Sequence, residues 1–202
     1  MVREQIESRG IDDPEVLRAL HAVPRHLFVA PAYRNDAYGD YPLPIGSSQT
    51  ISQPYIVALM TQVAYLEPGD VVLEVGTGSG YQAAVLAEIV RTVYTIEILP
   101  SLGEQARARF AELGYTNVEV RIGDGYQGWP EHAPFDAILV TAAAEEVPSP
   151  LIEQLKPGGT LVIPVGQRDR VQTLMQVVKA EDGTTISRNL IPVRFVPLAR
   201  QP

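Results

Sequence analysis

The feature that most constrains this chain is residues 71–81, VVLEVGTGSGY. Val71, Val72, Leu73 and Val75 surround one acid, Glu74, and three alternating glycines follow, Gly76, Gly78 and Gly80. A helix-compatible run occupies residues 81–90. A short apolar run closed by a glycine turn and then a helix is the opening unit of a doubly wound α/β sheet. Glycines in the turn let backbone approach a ligand where a Cβ would collide. The helix start behind them offers unpaired N–H groups to a polar or anionic ligand.

Spacing narrows the ligand. The dinucleotide fingerprint is G-x-G-x-x-G, whereas residues 76–80 read G-x-G-x-G. With an acid two residues ahead of the first glycine, this turn resembles that of Rossmann-like S-adenosylmethionine methyltransferases. Such a site calls for a second acid at the end of the next strand, on the ribose hydroxyls. Residues 92–96 are apolar and β-branched, and Glu97 closes them, near the roughly 20-residue spacing of a ribose-binding acid. Glu74 and Glu97 together suit a ligand with cationic groups. A purely structural turn would explain the glycines but not an acid at 97.

A chain of 202 residues has room for one α/β domain with a modest extension. We divide it into a helical leader and substrate-site loop (1–55) and a cofactor-binding core (56–202). At 46% hydrophobic and 20% charged, it has the balance of a soluble globular protein. No apolar run approaches the roughly 18 residues of a membrane span, and residues 1–10 lack a signal core, so a cytoplasmic setting is expected. The chain has no cysteine, which excludes disulfides, thiolate catalysis and Cys-ligated zinc. A net charge of −8 argues against a nucleic-acid partner. A monomer is expected.

Along the chain, Asp13-Pro14 reads as a helix start, with Val16, Leu17 and Leu20 on one face. Val23, Leu27, Phe28 and Val29 look buried. This leader reads either as a brace on the sheet or as part of the substrate site. Residues 31–50, rich in Tyr, Pro, Gly and Asn, read as a long loop. Thr50 or Ser52 is placed to cap a helix that begins near Pro54 and runs over residues 55–63. No histidine or acid adjoins Ser52 and no G-x-S-x-G elbow surrounds it, which speaks against a nucleophilic serine. Beyond Glu97, Ser101 and Glu104 have capping-box spacing, Leu102, Ala106, Phe110 and Leu113 form an apolar stripe, and Gly114 ends the helix. Strands are expected over 117–122, 135–141, 160–165, 171–179 and 190–196, and a short helix over 150–155, with the last two strands joined by a turn at 181–183. Gly123-Asp124-Gly125 follows a strand, at the edge where open α/β sheets bind ligands; it reads either as a binding acid or as a simple turn. His21, His26 and His132 share no ligand spacing, and Trp129 reads as packing.

Six stretches carry a more specific likeness: IG-x-x-Q-TISQP at 45–54, VLEVGTGSGYQ at 72–82, GDG at 123–125, PFDAILVTAA at 134–143, LKPGGTLVIPVG at 155–166 and RFVPL at 194–198. From about residue 10 onward the chain resembles the protein-L-isoaspartate O-methyltransferases. TIS-x-P ahead of the glycine turn is the specific element; the glycine turn and LKPGG occur in many methyltransferases. The resemblance implies a seven-stranded, doubly wound sheet with a small N-terminal helical extension. It implies S-adenosylmethionine as cofactor and isoaspartyl (and D-aspartyl) peptides and proteins as substrates, methylated on the α-carboxyl and repaired through a succinimide. It makes Ser52 the active-site residue. It assigns Ile51, Gln53, Glu74, Gly76, Gly78, Ser79, Gly80, Glu97, Ile98, Asp124 and Gly125 to the cofactor, with Asp124 and the Gly125 N–H at the adenine.

Methyl transfer to a carboxylate needs no general base, because a free carboxyl with a pKa of about 3 to 4 is already ionised at neutral pH. The burden falls on positioning. Three other readings compete: an O-methyltransferase acting on a dedicated peptide or small-molecule carboxylate, a nucleotide-sensing module without catalysis, and a dehydrogenase. The intact TISQP with both acids weighs against the second, and the missing G-x-G-x-x-G against the third.

Overall fold

The computed structural model describes residues 1–200. At its centre Val71–Val75 (β3) pairs in parallel with Thr92–Glu97 (β4) on one side and Phe135–Val140 (β6) on the other. Val118–Ile122 (β5) extends the first side. Leu155–Val165 (β7), Gln172–Lys179 (β8) and Thr185–Val193 (β9) extend the second, the last two antiparallel. The seven-stranded order is β5-β4-β3-β6-β7-β8-β9. The chain therefore winds outward from β3, returns, and leaves on the opposite side through β6. The carboxyl ends of β3 and β6 flank the switch point where ligands bind in such sheets.

Alternation along β3 sets its two faces. Val72 belongs to a core shared with Tyr81–Ala87 (α3), Pro14–Ala22 (α1), Pro54–Gln62 (α2) and the leader residues Val2, Ile6 and Ile11. Leu73 and Val75 join a second core with Trp129, Phe135 and Leu151 of Ser149–Glu153 (α5). Glu74, on the face of Val72, has no exposed atom. The leader is thus part of the main core. Its helix begins as expected, with Asp13 Oδ1 accepting from the Glu15 and Val16 N–H groups.

Several local expectations are corrected. Residues 31–50 are not structureless: Pro31–Asp36 is a 3-10 stretch, and Leu43–Gly46 (β1) and Gln49–Ile51 (β2) form an antiparallel hairpin. Its turn holds Ser47 at φ 50° and Ser48 at φ 57°, which hairpin turns need but which Asn-Gly, absent here, would have signalled. Neither Thr50 nor Ser52 caps α2. Gln53 occupies the N-cap position without a side-chain capping bond, and Asp40 Oδ1, reaching in from the loop, accepts from Tyr55 N–H at 3.0 Å. The Ser101–Glu104 box does not form in Pro100–Leu113 (α4): Leu99 is the N-cap, its N–H donates to Glu97 Oε1, and Glu104 pairs with Arg107. β7 starts five residues earlier than expected because the LKPGG segment pairs with β6 across a register shift. β9 ends at Val193, so residues 194–199 are free to run elsewhere.

Candidate active site

The cavity at the switch point is walled by the glycine turn, the ends of β3, β4 and β6, the β2–α2 junction and residues 196–199. Each glycine of the turn has its own physical reason. A Cβ on Gly76 would come within 2.4 Å of Thr141 Oγ1, the group that donates to Gly76 O at 2.6 Å. Gly78 holds φ 52° and donates its N–H to Glu97 Oε2 at 2.8 Å. Gly80, at φ 86°, is where the ring of Phe110 from α4 lies; a Cβ would meet Phe110 Cζ at 2.7 Å.

Glu97, nearly buried, accepts from Gly78 N–H and Leu99 N–H, one on each oxygen. It therefore fixes the turn, and each oxygen keeps a further lone pair for a ligand hydroxyl. Glu74 is more extreme. Thr95 Oγ1 donates to its Oε2, and Thr77 Oγ1 contacts Thr95 Oγ1 at 2.6 Å. Oε1 is buried without any hydrogen-bond partner and belongs to a residue of the cavity wall. Burial first, then the nearby Glu97, pushes the Glu74 carboxyl up to about 8. A buried acid with an orphaned oxygen beside a cavity is the kind of group a cationic or hydrogen-bonding ligand completes.

Ile51, Ser52, Glu74, Gly76, Gly78, Ser79, Glu97, Ile98 and Gly125 all line this cavity. Gln53, Gly80 and Asp124 do not. Gln53 Nε2 donates to Asp40 Oδ2 at 2.7 Å and its residue faces a neighbouring cavity. Gly80 serves the packing of α4 against the turn. Asp124 Oδ1 accepts from Tyr126 N–H at 2.9 Å, capping a one-turn 3-10 helix, while Val75 keeps position 125 a glycine, since any Cβ there would collide with Val75 Cγ1.

A second cavity adjoins the first and shares Thr50, Ser52, Thr141 and Val196 with it. Arg194 is the one charged side chain on its wall among the described residues. Ser52 therefore stands on the partition between the two spaces.

A sequence profile of the protein-L-isoaspartate(D-aspartate) O-methyltransferases matches residues 1–202. The chain belongs to that family. Among its relatives, protein-L-isoaspartate O-methyltransferase 2 of Polaromonas sp. is 62% identical over 94% of this chain and 90% of its own length. The Gloeobacter violaceus protein-L-isoaspartate O-methyltransferase is 56% identical over 100% of this chain and 98% of its own. A solved protein-L-isoaspartate O-methyltransferase superposes with a TM-score of 0.88 at 30% identity over 96% of this chain, which spans 63% of that one. A Plasmodium falciparum beta-aspartate methyltransferase structure, crystallised with S-adenosyl-L-homocysteine, superposes at 0.83 with 28% identity, over 96% of this chain and 95% of that one.

Sequence reasoning missed two parts of the site. Thr141 follows β6 and bonds to Val75 O and Gly76 O; a threonine opening a run of alanines was its only signal. Residues 196–199 cross over the cavity as a strap tied to Ala143, with Ala143 N–H donating to Val196 O and Leu198 N–H to Ala143 O, both at 2.8 Å. RFVPL was visible as a motif, but nothing in it announces a wall. The three histidines lie outside the cavity wall: His132 stacks on Tyr94 and His26 Nδ1 bonds Tyr38 Oη.

Proposed function

We propose that this chain methylates the α-carboxyl of L-isoaspartyl residues, and of D-aspartyl residues, in damaged peptides and proteins, with S-adenosylmethionine as methyl donor. The observation that carries the reading is the position of Ser52 on the partition between a cavity with two acids and a cavity with one arginine. The acidic cavity fits the cofactor: the orphaned Glu74 Oε1, the free lone pairs of Glu97 and the glycine turn suit amine, ribose hydroxyl and close backbone approach. When bound, S-adenosylmethionine supplies a methyl group on a sulfonium, an electrophile toward a carboxylate oxygen.

What the chain adds is arrangement. Ser52 Oγ donates a hydrogen bond to the acceptor carboxylate and aims one oxygen through the partition; an already ionised acceptor requires no base. Glu74 and Glu97 hold the donor side, with Ile51, Gly76, Gly78, Ser79, Ile98 and Gly125 shaping the wall. The strap at 196–199 walls the donor space and limits its access to water, which strengthens the fields acting across the partition. The methyl ester leaves the site; the following main-chain amide nitrogen then attacks the ester carbonyl, gives up its proton and expels methanol, closing the succinimide without further groups from the enzyme. The reading takes residues 1–202 as one domain, acting as a cytoplasmic monomer without nucleic acid; the net charge of −8 supports the last point.

The test is transfer of tritiated methyl from S-adenosylmethionine to an isoaspartyl peptide and to its normal aspartyl twin. A base-labile product from the first alone is expected. Equal labelling of both, or of neither, refutes the reading.

A further inference from the structure

Among the described residues Arg25 is the largest fully buried side chain, with no exposed surface. It sits in a 3-10 turn of the leader, Arg25–Leu27. Among the described residues no carboxylate forms an ion pair with it. A guanidinium in that position is costly unless its donors are used. Two nitrogens bond backbone carbonyls, Nε to Ala37 O at 2.7 Å and Nη2 to Ser52 O at 2.8 Å, while Nη1 is buried without a hydrogen-bond partner. Its plane lies over the ring of Tyr81, with Cζ 4.7 Å from the centroid. Tyr81 is the first residue of α3, directly behind the glycine turn, and lines the cofactor cavity.

On the far side of Ser52, Asp40 grips the same segment. Its Oδ1 accepts from Tyr55 N–H and its Oδ2 from Gln53 Nε2. Ser52 itself has no regular structure and no side-chain cap to hold it. The segment is thus clamped at residue 52 by Arg25 and at residues 53 and 55 by Asp40.

We propose that Arg25, with Asp40, is a positioning residue of the methyl-transfer site, fixing Ser52 relative to the cofactor wall through Tyr81. This rests on the reading of Ser52 as the hydroxyl that orients the acceptor. It gives the leader a use: the buried cation ties it to both halves of the site. Neither Arg25 nor Asp40 touches the donor or the acceptor; each acts through Ser52.

The experiment is a double-mutant cycle on kcat with an isoaspartyl peptide, joined to calorimetry with S-adenosyl-L-homocysteine. Arg25→Lys keeps the charge but does not reproduce the fork that reaches both carbonyls. In the otherwise unchanged enzyme it is expected to lower kcat at least about tenfold, since misplacement by about 1 Å is worth that or more, with S-adenosyl-L-homocysteine affinity held within about threefold. In a Ser52→Ala background the same substitution is expected to change kcat less than about twofold, because the group it positions is gone. An equal loss in both backgrounds, or no loss in either, overturns the proposal while leaving the Ser52 reading intact. If Ser52→Ala alone leaves kcat unchanged, the Ser52 reading fails and the proposal with it. Should Arg25→Lys not fold, Asp40→Asn reads the same clamp, with the same two-background pattern required; its failure likewise overturns the proposal.

Discussion

Burial holds the Glu74 carboxyl up to about 8, so in the protein without cofactor its protonated form predominates at neutral pH. The folded state thus binds the proton more tightly than the unfolded chain, where the ordinary value is 4.5. Stability from this group is fully present below about 4.5 and is lost as pH rises through about 8. Glu74→Gln is expected to remove that slope, by up to a few kcal/mol; urea unfolding of both proteins at about pH 5 and about pH 8.5 measures it, and parallel curves contradict it. Ser52 and Glu97 separate by what they lose. Ser52→Ala is expected to lower kcat roughly 10- to 100-fold with cofactor affinity nearly intact. Glu97→Ala is expected to weaken cofactor binding by a similar factor, since charge-assisted bonds are worth about 1.5–3 kcal/mol; calorimetry with S-adenosyl-L-homocysteine distinguishes them. Both acids were legible from spacing, Glu74 from its place two residues ahead of the first glycine and Glu97 because it closes an apolar, β-branched run. The proton on Glu74 was not, since burial depends on α3 and the leader packing over the strand.

Elements show where local chemistry stops being informative. β3, β4 and α4 could be read from periodicity because each is long or uniformly apolar. The hairpin β1–β2 could not, with strands of four and three residues and a Ser-Ser turn. The cap of α2 comes from Asp40, fifteen residues before Tyr55 in sequence, so no local pattern encodes it. Gly80 carries the same lesson. Its motif suggested ligand approach, yet its neighbour is a ring thirty residues on. Gly80→Ala is therefore expected to cost about 1–3 kcal/mol of stability from overpacking and left-handed strain, while the folded protein retains cofactor affinity within about threefold. Urea unfolding and calorimetry together check it. A large affinity loss with unchanged stability would assign Gly80 to the ligand instead.

For the whole molecule the outstanding problem is charge, since a protein of net −8 must take in carboxylate substrates. Arg194 answers it locally, as the one charged residue on the second cavity's wall among the described residues. Arg194→Gln is expected to raise KM for isoaspartyl peptides about 3- to 10-fold with kcat little changed, and more for peptides with an added acidic neighbour. Steady-state kinetics at low and high salt decide it; a fall in kcat with unchanged KM goes against a recruiting role. The order of the sheet and its switch point followed from alternating strands and helices, but the route of residues 194–199 back across the site did not, because it depends on where Ala143 ends up.

That return path also bears on biosynthesis. Residues 196–199 leave the ribosome after every strand of the sheet; all four wall the first cavity, and Val196 also walls the second. A nascent chain can build the sheet and the glycine turn while its reaction chamber still stands open to solvent. Competence to transfer a methyl group therefore waits on the segment that follows the sheet, and not on the sheet alone.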